Sequence, residues 1–337
     1  MRKEHISDEE WAQVNEFNSM ILDDFLCNSA ELSPKTRGAY ASNLKVWFKW
    51  VKDNLKNKSQ LNITPLDYKK FQNWMINRGC SSADINNKRA AISSLNGYIE
   101  IYYHDEYPTF RNFINKSIKR PPKSVVNEKA PLTKEEFNHL IDVLTEMGEW
   151  QKVAYLVFTL DTGCRRAESR QLLKDVVNAR PIKHTKTVDK EDGTQEIKEA
   201  TFYQTHTIRC KGAGTIGKVR KFTFGEQTME ALKKWLSVRG EDNCPYMFVT
   251  TYGGEVRQVS ETLFNTWATN LFSKIVGRRV HPHQMRSSRA TQLVVEDGVN
   301  IRVVQKLLGH ENESTTAGYV VRDDTEDLDE LYISSTD

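Results

Sequence analysis

"KRPPKSVVNEKAPLTKEE", residues 119–136, decides how the rest of the chain is read. Pro121, Pro122 and Pro131 each fix φ and remove a backbone donor, so no helix runs through the segment and it reads as extended. Just beyond them, Thr133 followed by Glu136 forms a capping box that starts a new helix. The surroundings are basic: residues 111–134 hold Arg111, Lys116, Lys119, Arg120, Lys123, Lys129 and Lys134 against Glu128 alone. A basic joint over 119–132 therefore separates a domain over 1–118 from one over 133–321, with an acidic tail at 322–337. At 337 residues the chain is long enough for two cores.

Upstream of the joint the sequence reads as helix after helix. In "SPKTRGAYASNLKVWFKWVKDNL", Ser33 is the cap, Pro34 takes the first helical position, and Tyr40, Leu44, Trp47, Phe48 and Val51 recur at helical spacing. "TPLDYKKFQNWMINRG" repeats the device with Thr64 and Pro65 and stops at Gly79. In "SSADINNKRAAISSLNGYIEIYY" Ile85, Ile92, Leu95 and Ile99 share a face, while Lys88 and Arg89 form a basic edge. Such an edge is more often solvated than functional. Downstream, two helices precede a strand-rich zone from about 176 to 224, with turns at Asp192-Gly193 and 212–217; helices return from residue 226. The expected fold is mainly α with a small antiparallel β-sheet in the second domain.

Composition excludes several classes. No apolar run approaches the roughly 18 residues of a membrane span. The charged start "MRKEHISDEEW" has no apolar signal region, so a cytoplasmic protein is expected. The five cysteines are scattered without a CxxC pair and read as reduced thiols rather than a zinc site or disulfide frame. Net charge is only +3, but it is unevenly spread: "RDDTEDLDELYISSTD" has seven acids and one base. A basic middle suits a surface that tracks phosphates, and the acidic tail suits a protein contact.

Four places concentrate basic or nucleophilic groups. In "DTGCRRAES" (161–169) Arg165 and Arg166 open a helix, where guanidinium donors join free backbone N–H groups to seat a phosphate. "IRCKGAGTIGKVRKFTF" (208–224) is a glycine-rich turn between strands carrying Lys211, Lys218, Arg220 and Lys221, without the GK[ST] of a nucleotide loop. In "VHPHQMRSS" (280–288) His283 and Arg286 stand at i and i+3; a metal site from His281 and His283 lacks a third ligand. In "LLGHENESTTAGYV" (307–320) His310 follows a Gly309 helix stop and Tyr319 lies nine residues later. Singly, each is more often an ordinary surface or packing residue.

Their order and spacing together resemble the tyrosine recombinase (phage integrase) family over nearly the whole chain. "LSPKTRGAYASNLKVWFKWV" and "SSADINNKRAAISSLNGY" resemble its helical core-binding domain, and "APLTKEEF" the start of its catalytic domain. The resemblance implies a two-domain, C-shaped clamp on double-stranded DNA. Tyr319 would attack a scissile phosphate to leave a 3′-phosphotyrosine, and Arg165 and Arg286 would stabilise the charge that builds there. His283 and His310 would bond the phosphate or assist proton movement, and Glu168 would orient the site. Lys211 would protonate the leaving 5′-oxygen, with Lys218 the alternative because the stretch after Arg165 is long. No cofactor or metal is implied. DNA contacts are expected from Lys88, Arg89, Lys119, Arg120, Lys123, Lys218 and Arg220. Leu328, Leu331 and Ile333 suggest self-association through the tail.

Ser287, Arg289 and the small pair Ala317-Gly318 depart from the family's usual residues. The chain is also similar to the integrase-like DNA-binding repressors of SPβ-type Bacillus phages. That likeness implies an alternative, a phage transcriptional repressor that keeps the recombinase fold without recombining DNA.

Overall fold

The computed structural model describes residues 6–114, 118–121, 130–189, 195–212, 217–309, 313–317 and 320. They form two compact units, one built on residues up to 121 and the other on residues from 130 outside the turn at 212–217.

The first unit is helical: α1 (Asp8–Ala12), α2 (Glu16–Asn28), α3 (Pro34–Asn54), a 3-10 turn Gln60–Asn62, α4 (Pro65–Asn77) and α5 (Ser82–Tyr102). The starts follow the caps. Ser33 Oγ accepts from Thr36 N ahead of Pro34, and Thr64 and Asp67 cap each other reciprocally ahead of α4. Trp47, Phe48 and Val51 of α3 meet Tyr68, Phe71 and Met75 of α4 and Ile92, Leu95 and Ile99 of α5 in one core. A buried polar chain pins the 3-10 turn to that core. Trp47 Nε1 donates to Gln60 Oε1 at 2.9 Å, Gln60 Nε2 to Asn96 Oδ1 at 2.6 Å, and Gln60 N to Asn18 Oδ1 at 2.7 Å. Gln60, Asn18 and Asn96 are fully buried, so each bond also removes the cost of an unpaired polar group.

The second unit opens with α6 (Lys134–Glu146), α7 (Trp150–Thr162), the one-turn α8 (Arg166–Ser169) and a 3-10 turn Lys174–Asn178. Five strands follow: β1 (Ile182–Asp189), β2 (Gln195–Gln204), β3 (Ile208–Cys210), β4 (Lys218–Arg220) and β5 (Thr223–Gly225). Then come α9 (Glu226–Arg239), the hairpin β6 (Val249–Tyr252) and β7 (Glu255–Gln258), and α10 (Glu261–Thr266), which runs through a π-helical stretch Trp267–Phe272 into α11 (Ser273–Val276). Last are α12 (His283–Thr291), passing into a π-helical Gln292–Glu296, α13 (Ile301–Leu308) and α14 (Glu313–Ala317). The strands are antiparallel, in a sheet ordered β1-β2-β5 and the two-stranded pairs β3-β4 and β6-β7.

The mainly helical fold with small antiparallel sheets agrees with the sequence expectation. Three details differ. Residues 174–178 form a 3-10 turn where strand was expected to begin. "KVRKFTF" is divided between two sheets, because Thr205 pairs its backbone and hydroxyl with Phe222 and bends the chain there. The β6-β7 hairpin was not anticipated; it turns through Gly253 and Gly254 at φ 60° and 81°, a two-glycine turn between strands of only four residues.

Candidate functional site

The site grows from the C-terminus of α7. Gly163 ends that helix at φ 59°, and the chain leaves it through the buried Cys164 into Arg165. Burial pushes the Cys164 thiol up to about 12, so it stays protonated and serves as packing. Arg165 precedes α8, its N–H donates to Glu168 Oε2 at 2.7 Å, and its Nη1 donates to Glu168 Oε1 at 2.9 Å. Glu168 is 1% exposed while the Arg165 side chain is 27% exposed, so the carboxylate fixes the arginine and leaves part of its fork towards solvent.

Arg286 comes from the first turns of α12 and is fully buried. Its Nη1 donates to the Gly163 carbonyl and its Nη2 to the Leu308 carbonyl, both at 2.6 Å. It therefore joins the C-terminal ends of α7 and α13, where a cation is favoured by unpaired carbonyls and helix dipoles alike. Spacing alone put His283 and Arg286 on one face aimed at one anion. His283, at the start of α12, is exposed where Arg286 is buried. The α12 N-terminus is held from behind, where Gln284 Nε2 donates to the Ala130 carbonyl at 2.9 Å and Leu132 N donates to Ser288 Oγ at 2.7 Å. Arg278 adds bonds to Glu136 and to the Pro131 carbonyl, tying the beginning of the unit to this helix.

The β3-β4 hairpin supplies the third side. Ile208 pairs with Arg220 and Cys210 with Lys218, which sets Lys211 just past the ladder, exposed, with Lys218 exposed opposite Cys210. Arg220 turns inward instead. Its Nη1 donates to the Leu307 carbonyl at 2.8 Å, its Nη2 lies 3.7 Å from Glu168 Oε2, and its guanidinium stands 4.1 Å over Phe222. Burial, and then the Glu168 charge, raises the Cys210 thiol beside it. Two guanidinium groups thus share one carboxylate, which leaves this corner electropositive.

α13 closes the site. Gly309 caps it at φ 66°, and the carbonyls of Leu307 and Leu308 receive Arg220 and Arg286 in turn. Leu308 packs with Val304 and Ala290, against which Val320 lies partly buried; Thr316 of α14 is fully buried. His310 and Tyr319 lie outside the described residues, as do Lys123 and the tail 322–337.

The structure thus brings Arg165, Glu168, Arg220 and Arg286 together around the end of α13. Arg89 is 8% exposed with its guanidinium 5.8 Å over the buried Tyr68 ring, and Lys88 is paired with Asp84 at 2.6 Å. Lys119 and Arg120 are exposed in the first unit. Among the described residues no three His, Cys, Asp or Glu side chains gather as a metal site. Sequence reasoning missed Arg278, Gln284, Ser288 and the helix-end carbonyls; only the glycines at 163 and 309 signalled where those ends fall.

Residues 131–326 match the phage integrase family, and residues 22–99 match the phage integrase N-terminal SAM-like domain. The chain belongs to the phage integrase family. Among its relatives, the SPβ prophage-derived recombinase-like protein YomM of Bacillus subtilis is 31% identical over 333 residues, 97% of this chain and 94% of that one. The tyrosine recombinase XerC of a Shewanella species is 36% identical over 124 residues, 36% of this chain and 40% of that one. Two solved integrase-family structures share the fold. The Tn1549 transposon integrase in complex with transposon right end DNA matches with a TM-score of 0.65 at 17% identity, covering 94% of this chain and 98% of that one. The XerH recombinase bound to a palindromic difH substrate matches with a TM-score of 0.64 at 18% identity, covering 96% and 86%. The residues gathered around α13 all fall within the integrase family match, and the helical first unit contains the SAM-like match.

Proposed function

We propose that this phage integrase family member binds duplex DNA at specific sites and cuts and rejoins its strands through Tyr319. The tyrosine oxygen passes its proton to His283 or His310 and forms a bond to the scissile phosphorus, the bond from phosphorus to the 5′-oxygen breaks, and Lys211 gives that oxygen its proton. Arg165, Arg286, His283 and His310 stabilise the charge on the phosphate, and Glu168 orients Arg165. One observation carries the reading: Arg165, held by the buried Glu168 but still 27% exposed, shares one corner with Arg286 and with the α13 end that precedes Tyr319. A phenol of pKa about 10 is a poor nucleophile at neutral pH, and fixed cations lower the cost of its phenolate. In this reading residues 1–118 and 133–321 each contact DNA, the protein works on the bacterial nucleoid, and the 322–337 tail joins neighbouring protomers.

Trapping on a nicked suicide DNA substrate tests it. The wild-type chain is expected to give a covalent adduct on a denaturing gel, lost in Tyr319→Phe while DNA binding persists. Specific binding without an adduct would overturn strand transfer and leave a DNA-binding regulator on the same scaffold. That second reading has one observation in its favour, since Arg286 is fully buried with both Nη groups on backbone carbonyls.

A further inference from the structure

Among the described residues, Arg220 touches three parts of the site at once. It stands on β4, directly across the ladder from Ile208 and two residues along the strand from Lys218, whose partner Cys210 precedes Lys211. From there its Nη1 holds the Leu307 carbonyl at 2.8 Å, and its Nη2 lies 3.7 Å from the carboxylate that fixes Arg165. The Phe222 ring at 4.1 Å supports the guanidinium on one side. Its side chain is 22% exposed; Nη1 is spent on the Leu307 carbonyl, and Nη2, rather than being offered to a ligand, is buried without a hydrogen-bond partner among the described residues.

The fit against α13 is close. A Cβ added to Gly309 would lie 2.7 Å from Arg220 Nη1 and 3.2 Å from its Cζ. The glycine thus serves the left-handed cap and also the room that the guanidinium occupies. Leu307 and Leu308 are the last residues of α13, and the segment after them leads to His310 and Tyr319.

We infer that Arg220 is a positioning residue: it registers the Lys211 hairpin and the Arg165–Glu168 pair against the end of α13, and so sets where the following Tyr319 segment begins. It does not act as a phosphate contact. The inference rests on the strand-transfer reading for its effect on rate, but the contact itself can be tested apart from that reading.

Single-turnover cleavage of the suicide substrate, the DNA dissociation constant and hydrogen exchange are measured on the full-length chain, in Arg220→Ala, Gly309→Ala and the double variant. A small misplacement of reacting groups costs roughly 100-fold in rate. Arg220→Ala is expected to slow adduct formation by that order at saturating DNA, with the dissociation constant within about twofold of wild type. Gly309→Ala is expected to slow the reaction similarly in the wild-type background and to add little on top of Arg220→Ala, because both disturb one contact. An equal loss in binding, an unchanged rate, or multiplicative effects of the two variants would overturn the inference. If wild type forms no adduct, the strand-transfer reading fails, and hydrogen exchange decides the contact: peptides covering 301–309 are expected to exchange faster in Arg220→Ala while those of α9 do not. Unchanged protection there would overturn it.

Discussion

Gly163 carries two separate demands on a single residue. Its φ of 59° is left-handed, and an added Cβ would fall 2.5 Å from Leu308 Cδ2. Gly79 has the same handedness at φ 72° but open space around the missing Cβ. Gly79→Ala is therefore expected to lose only the backbone cost of about 1–2 kcal/mol, and Gly163→Ala distinctly more, by urea denaturation of the full chain. Equal losses would mean that Leu308 yields without cost and that the junction of α7 with α13 is soft. Arg165, Glu168 and Arg286 were legible in the sequence as members of a family pattern. The acceptors of Arg286 were not, because its two carbonyls lie 123 and 22 residues away along the chain, beyond the reach of helical spacing. Arg89 failed to read correctly for a related reason: a basic edge on a helix was taken as exposed, whereas its guanidinium is held over Tyr68.

Elements were the more readable level, since caps and periodicity are local. Ser33-Pro34, Thr64-Pro65 and Thr133 with Glu136 start α3, α4 and α6 as expected. The small strands were harder, as three- or four-residue runs carry little pattern before their partners are known. How the elements pack makes two pH predictions. Asp24 of α2 accepts from Tyr98 of α5 at 2.7 Å and from Tyr103 just past it at 2.8 Å. Burial, with the Asp24 carboxylate adding to it, pushes both hydroxyls up to about 12. The folded form then holds these protons more tightly than the unfolded chain, so their contribution is complete below about pH 10 and is lost as pH rises towards 12. Absorbance titration at 295 nm should show Tyr98 and Tyr103 titrating late in the folded chain beside the buried Tyr68 and Tyr155, and Tyr98→Phe should remove one late tyrosine; a single normal phase for all would refute the arrangement. Glu136 has the opposite sign. The Arg278 guanidinium holds its carboxyl below 4.5, so that clasp stabilises α6 above the unfolded value and weakens as pH falls through the folded one. Glu136→Gln should flatten the acid side of the stability curve while leaving the alkaline side alone.

At the scale of the molecule, the two principal cores share no buried residue, one built around Trp47, Phe71 and Ile92, the other around Leu140, Phe158 and Phe264. Separate cores make separate cooperative transitions the expected behaviour. Phe71→Ala, costing about 3–5 kcal/mol, should lower one calorimetric transition and leave the other in place; a shared shift of both would mean that the chain unfolds as one body. DNA binding adds the last expectation. A net charge of +3 in 337 residues gives little attraction at long range, so any affinity for the duplex has to come from local phosphate contacts. Basic side chains concentrate at the joint, and Lys119 and Arg120 at its start are exposed. Each phosphate contact contributes about 0.9 to the slope of log K against log salt. Replacing Lys119 and Arg120 by alanine should therefore reduce that slope by about 1.8 and weaken binding to every sequence alike, because phosphate contacts carry no base information. An unchanged slope would place the phosphate contacts elsewhere. A loss confined to the preferred site would instead make these side chains readers of bases.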